Sequence, residues 1–288
     1  MSSIIIHRAG PMATLQDGGR FGMLAHGVSA SGPMDGGAYR AAGALLGLAG
    51  TTAIEFTQGI EFEAEERLYL GFAGADFKLS YQGTDVQWPG ILTVRPHARV
   101  TITPGENANY GYLRFDREVD VPVVLGSRST NVTVGLGGYR GRPLKAGDRL
   151  TLGPAGTRVD AVETPTADGP IRVVWGLHAA LFDGATRQKF VDQSFLISTA
   201  IDRMGIKLID PVGVFDVQKQ LTLVSDAIVP GDIQILGDGT PIVLMRDHQP
   251  TGGYPRIATI VTADLDRFAQ MRPGAEIRFK PVTLEHAR

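Results

Sequence analysis

The stretch "PIVLMRDHQPTGGYPRIATIVT", residues 241–262, decides how the chain is read. Two short apolar runs rich in β-branched residues, "PIVLM" and "IATIVT", have the look of buried strands. Between them lies "DHQPTGGYPR" (247–256), with two prolines, two adjacent glycines, a carboxylate, an imidazole and a phenol. A hairpin connection needs only two to five turn residues. This loop is longer and chemically richer than a turn requires, so the stretch reads as core strands carrying a functional or covering loop.

The same rhythm runs outward in both directions. "SIIIHR", "IEFTQGIEFE", "RLYLGFAG", "FKLSY", "ILTVR", "RVTITP", "NYGYLRF", "IRVVWG", "FLIS", "IQIL" and "EIRFKPV" are short β-rich runs punctuated by Gly, Pro and Asp. They predict a mainly β fold of barrels or sandwiches with a few short helices. Helices are expected at 35–48, with Asp35 as N-cap and Ala38, Ala41, Ala42, Leu45 and Leu46 on one face. Another is expected at 178–192, broken or split in two, and a third at 262–271 with Thr262 as cap. "RPHARVTI" (95–102), "KAGDRLTL" (145–152), "VPGDIQIL" (229–236) and "RPGAEIRF" (272–279) repeat one pattern, a tight turn feeding an alternating strand. The repeat reads either as a common local device or as a barrel corner reused in two related domains. "ETPTADGP" (163–170) is the best linker, dividing the chain into a domain at 1–165 and a domain at 166–288.

Composition bounds the function. The chain has 288 residues with 43% hydrophobic and 20% charged, enough for a sizeable core in one large or two ordinary domains. A net charge of −2 and the absence of basic runs argue against a nucleic-acid surface. There is no cysteine, which excludes disulfides, thiolate metal sites and a cysteine nucleophile, and fits a cytoplasmic protein. No apolar run approaches a membrane span and no signal-peptide core is present. The six histidines lack metal-ligand spacing, so no metal is expected. There is no GxxxxGK[ST] phosphate loop, no GxSxG elbow and no Ala-Met-Lys-Met tetrapeptide. "GLGGYRG" (135–141) misses GxGxxG and reads as a loop.

Candidate chemistry collects in five places. In "TLQDGGRFG" (14–22), Gln16, Asp17 and Arg20 sit among glycines that let a ligand approach the backbone, or form a plain turn with an ion pair. In "GVSASGPMDGGAYR" (27–40), Ser31 and Asp35 introduce a helix, either to meet an anion or simply to cap it. Arg203 in "DRMG" (202–205) is either a clamp for a carboxylate or one half of a surface ion pair. Arg128 lies in "GSRST" (126–130). In the opening loop Asp247 and His248 could act as acid or base, and Gln249 and Thr251 could hydrogen-bond a planar amide. Gly252 and Gly253 admit close approach of the backbone, and Tyr254 offers a wall and a hydroxyl; the alternative is a structural cover over a barrel end.

Taken in order, "TLQDGGRFG…GVSASGPMD", "VLGSRST", "GLGGYRGRPLKAGD", "DRMG" and "PIVLMRDHQPTGGYPRIATIVTADL" resemble the allophanate hydrolase subunit 2, or biotin-dependent carboxyltransferase, family. That family includes the C subunit of 5-oxoprolinase and the antagonist of a sporulation-kinase inhibitor. The resemblance covers essentially the whole chain. It implies two cyclophilin-like β-barrel domains and a subunit 1-like partner, with a third subunit in 5-oxoprolinase. It implies either ATP-dependent conversion of 5-oxoproline to glutamate, with ATP handled by the complex, or carboxyl transfer from biotin on a separate carrier. A non-catalytic module that sequesters its partner is the third reading. Under the first, Asp17, Arg20, Asp247 and Tyr254 would be catalytic. Gln16, Ser31, Asp35, Arg128, Arg203, His248, Gln249, Thr251, Gly252 and Gly253 would bind substrate. The sequence departs from the family loop at His248, where Arg is common, and at Pro250, where Thr is common.

Overall fold

The computed structural model describes residues 2–107, 109–160, 168–215 and 223–287. The chain forms two compact units, Met1–Gly22 with Ala30–Thr164, and Met23–Ser29 with Pro165–Arg288. The expected boundary at 165 lies outside the described residues. Each unit is mainly β.

In the first unit a seven-stranded sheet runs in the order Arg117–Val119, Arg149–Ala155, Ser3–Ala9, Ile60–Ala64, Arg99–Pro104, Phe77–Tyr81, Thr84–Val86. A five-stranded sheet runs Thr14–Gln16, Ala53–Phe56, Gly111–Phe115, Leu68–Gly74, Gly90–Val94. Residues from both sheets, among them Ile4, Ile6, Leu15, Ile54, Phe62, Leu70, Phe72 and Val100, make one buried core. Helix α1 (Gly36–Leu46) starts at Asp35, whose carboxylate accepts the Ala38 N–H at 2.8 Å, as expected of an N-cap. Its packed face differs from the expected stripe. Leu45 is exposed, whereas Gly36, Gly37, Ala42 and Gly43 are buried. Gly43 leaves room for the Arg114 side chain, which a Cβ would strike. Close approach, not apolar bulk, selects that face.

The second unit is built on an eight-stranded sheet in the order Glu276–Ile277, Phe195–Ile201, Gly205–Ile209, Pro241–Leu244, Asp232–Ile235, Arg256–Ile260, Ile171–Trp175, Phe279–Pro281. Its first and last strands are the two halves of the single run "EIRFKPV". Ile277 pairs with Phe195 and Phe279 with Ile171, so the sheet returns on itself as a barrel. Phe190 of helix α2 (Gly184–Asp192) stacks on Phe279 at 4.9 Å, inside a cluster with Phe195 and Phe215. The expected broken helix is a short 3-10 turn, Ala179–Leu181, followed by α2, which is capped by Asp183. Helix α3 (Thr262–Ala269) is preceded by Val261 rather than capped by Thr262. Its first-turn acid, Asp264, is fully buried against Arg172 at 2.7 Å. No helix among the described residues is long and apolar enough to cross a membrane.

The four turn-then-strand repeats are one physical device used twice in each unit. In each, the fourth residue's N–H returns to the first residue's carbonyl: Ala98 to Arg95, Asp148 to Lys145, Asp232 to Val229 and Ala275 to Arg272, at 3.0–3.2 Å. The third residue has positive φ, at His97 (+60°), Gly147 (+87°), Gly231 (+93°) and Gly274 (+85°). That is the pattern of a type II turn, with Pro or Ala before the left-handed residue. Each left-handed N–H also donates to another strand, to Ala64, Ile6, Leu244 and Ile197 respectively, at 2.7–2.8 Å. Histidine bears the left-handed strain that the three glycines avoid. Replacing His97 by Gly is therefore expected to stabilise the protein by about 0.5–1 kcal/mol, the relieved strain outweighing the added chain entropy. At Gly231, where a Cβ would stand 2.9 Å from the Ile260 carbonyl oxygen, alanine is expected to destabilise by about 1–2 kcal/mol. Thermal melts of the two variants check both signs.

Candidate functional site

In the first unit, "TLQDGGRFG" and "GSRST" converge although they lie about 110 residues apart. Asp17 Oδ1 accepts the hydroxyls of Ser127 (2.5 Å) and Ser129 (2.7 Å) and the Gly19 N–H (3.0 Å). Its Oδ2 accepts the Arg128 N–H at 2.6 Å. Burial by itself would raise the Asp17 carboxyl, but these hydrogen bonds outweigh it and hold the group below the ordinary carboxylate range. Arg20 is buried, with Nε on the Val124 carbonyl and Nη2 on the Ser129 carbonyl, both 2.9 Å. Gln16 bridges the Thr130 carbonyl (3.0 Å) and the Gly32 N–H (3.1 Å). These three side chains knit loops together.

Around them lie groups better placed for a ligand. Arg128 keeps its guanidinium part-exposed, with Nε on the Val121 carbonyl at 3.2 Å and Nη1 4.0 Å from Glu118. Ser31 is buried in a left-handed conformation (φ +56°), and its hydroxyl has no hydrogen-bond partner among the described residues. Tyr39 lies under the Arg114 guanidinium at 4.6 Å, and burial raises its phenol above the usual value. Asp35 serves the helix. Local sequence gave no sign that Ser127 and Ser129 would be the partners of Asp17.

In the second unit, "DRMG" and the opening loop meet. Arg203 and Asp247 form a bidentate pair, Nε to Oδ2 at 2.9 Å and Nη2 to Oδ1 at 3.1 Å, with side chains 4% and 1% exposed. The carboxylate that Arg203 clamps is the chain's own. Asp247 thus has its bidentate arginine even though His248 follows it. His248 is buried, and desolvation lowers its pKa, so the ring is neutral near pH 7. Its Nδ1–H donates to the Gln249 carbonyl at 2.6 Å, which leaves Nε2 as an acceptor. The loop is not all irregular. Thr251–Gly252 pairs with Asp226–Ala227 as a two-residue ladder. Thr251 and Tyr254 are exposed and Gly252 and Gly253 half-buried.

Below that ladder is a group the sequence did not single out. Arg256 spans Asp226 (2.6 Å), Asp232 (3.3 Å) and the Ala227 carbonyl (2.7 Å). Asp232 also accepts the Thr259 hydroxyl at 2.6 Å. Gln234, cross-strand partner of Arg256, lies against Gly252. A cavity of about 260 Å³ in this unit is lined by Phe182, Phe215, Ile235 and Pro255, and none of the residues expected from sequence lines it.

The chain belongs to the family described as carboxyltransferase domain, subdomain A and B, matching over residues 26–281. It is 36% identical to the C subunit of Escherichia coli 5-oxoprolinase, over 98% of this chain and 92% of that protein. It is 33% identical to the C subunit of Haemophilus influenzae 5-oxoprolinase, over 96% of this chain and 90% of that one. Among solved structures it resembles the K. lactis urea amidolyase, with TM-score 0.89 and 25% identity over 99% of this chain. The chain spans only 19% of that larger protein.

Proposed function

We propose that the chain is the C subunit of an ATP-dependent 5-oxoprolinase, opening the lactam of 5-oxoproline to glutamate and active only beside its partner subunits. The partners are a protein resembling allophanate hydrolase subunit 1 and a third oxoprolinase subunit, in the cytoplasm. The observation that carries this is likeness over nearly the full length of both this chain and two 5-oxoprolinase C subunits. ATP is handled elsewhere in the complex. The loop 135–141 does not suit nucleotide phosphates, because its Gly138 and Gly141 N–H groups already donate to the Arg128 and Gly137 carbonyls. In the first unit, Asp17, Arg20 and Gln16 hold loops in place while Arg128 and Ser31 offer groups to a ligand. In the second, Arg203 and Asp247 hold the loop 247–256, His248, Gln249, Thr251 and Tyr254 offer groups to a ligand, and Gly252 and Gly253 admit it.

The second reading, carboxyl transfer from biotin on a separate carrier, draws on the structural likeness to urea amidolyase. The chain mixed with its two partners, ATP and 5-oxoproline is expected to form glutamate, insensitive to avidin and absent when this chain is omitted. Avidin-sensitive ATP use with urea and a biotin carboxylase, without glutamate, would replace the first reading by the second. A stable complex silent in both assays would leave the non-catalytic module.

A further inference from the structure

Of the five buried side-chain N–H donors of the second unit that have no partner among the described residues, two, Gln234 Nε2 and Arg256 Nε, belong to neighbouring strand positions. Both residues are nearly inaccessible, at 1% and 7%. They are not scattered. Gln234 and Arg256 are register partners on adjacent central strands, where a bulge follows Ile233, so their side chains leave the sheet on one face. Burying an unmade donor costs about 1–3 kcal/mol, and native proteins rarely leave two side by side without a use.

The cover over them is thin. A Cβ on Gly252 would stand 2.5 Å from Gln234 Nε2, so a larger residue there would displace the amide end. Gly252 is tied to the unit by the two-residue ladder with Asp226–Ala227, and Ala227 in turn accepts from Arg256. The charge around the two donors selects the ligand they could take. Arg256 is shared between Asp226 and Asp232, which leaves this trio with a net charge of about −1 when all three are ionised. Such surroundings disfavour a carboxylate and accept a neutral oxygen.

We propose that Gln234 and Arg256 form a two-donor cradle for the neutral carbonyl oxygen of an amide or ureide ring, reached when the Thr251–Gly252 strap shifts. For the oxoprolinase reading, on which this assignment of substrate rests, the oxygen is that of the lactam. The carboxylate of 5-oxoproline must then be held by a different group. Two donors on a carbonyl oxygen both orient the ring and draw electron density from the carbon that water attacks.

The test uses the chain with its partner subunits and two substitutions. Gln234→Leu removes the amide while keeping an apolar side chain of similar size. Arg256→Lys keeps the charge between Asp226 and Asp232 but removes the Nε donor. Turnover of 5-oxoproline is measured alongside binding of the uncharged probes 2-pyrrolidinone and imidazolidin-2-one, followed by ligand-observed NMR, and the melting temperature. Gln234→Leu is expected to raise KM for 5-oxoproline at least tenfold and abolish probe binding, with the melting temperature unchanged or higher. Arg256→Lys is expected to lower probe affinity about tenfold. A variant that melts lower but keeps wild-type KM and probe binding would overturn the cradle while leaving the oxoprolinase reading intact. Wild-type protein that binds the probes, loses them in Gln234→Leu and never forms glutamate would keep the cradle and overturn that reading. Neither turnover nor probe binding in the wild type would overturn both.

Discussion

Asp247→Ala is expected to destabilise the second barrel by about 3–5 kcal/mol, because it takes the buried bidentate carboxylate away from the Arg203 guanidinium. For a unit of this size that corresponds to a fall in melting temperature of roughly 10–20 °C. Arg203→Ala should cost a similar amount for the mirror-image reason. Replacing both together, as Arg203→Met with Asp247→Leu, should recover most of the loss, since an apolar pair of similar volume avoids the desolvation of two charges. Urea unfolding of the three variants measures this, and additive losses would show that the pair is not coupled. Read from sequence alone, Asp247 suggests a residue whose removal stops turnover and spares stability. The bidentate geometry makes it a post on which the loop 247–256 stands, so any loss of activity in the variant is expected to come with a loss of stability.

The second large effect is at Asp17. Asp17→Ala removes the acceptor of four donors at once, from Ser127, Ser129, Arg128 and Gly19. With donors left buried and unmade, the cost is about 3–5 kcal/mol. Asp17→Asn keeps the shape but brings an NH₂ group against donors, so it should be nearly as damaging. The pH dependence has a defined sign. The folded-state pKa is depressed, because the hydrogen bonds outweigh the burial that would raise it. Its contribution is therefore complete above the ordinary carboxylate pKa of about 4 and is lost as pH falls through the lower folded value. Acid unfolding of the wild type should be steeper below about pH 4 than that of Asp17→Ala. Identical acid limbs would show that Asp17 is not linked to folding.

The sequence by itself determined the mainly β class, since period-2 apolar runs and turn residues act within a few neighbours. Each β-rich run that was read became strand, and Asp35 capped its helix as its residue type demands. The turn repeats were legible for the same reason, although not the left-handed strain placed on His97. The family was legible because five motifs keep their order, which needs no knowledge of contacts.

Tertiary structure decided what those motifs do. No local pattern says that "EIRFKPV" is split between the two ends of a sheet and so closes a barrel. Nor does it say that Asp17 answers to serines 110 residues away, or that Arg203 spends its charge on Asp247, 44 residues on. Gln234 and Arg256 looked like ordinary positions in alternating strands. Strand register placed them side by side near Gly252 and left Gln234 Nε2 and Arg256 Nε without a partner among the described residues. Hydrogen-bond partners between distant segments are set by topology and register, whereas a local sequence specifies only which face a residue takes and whether the chain turns.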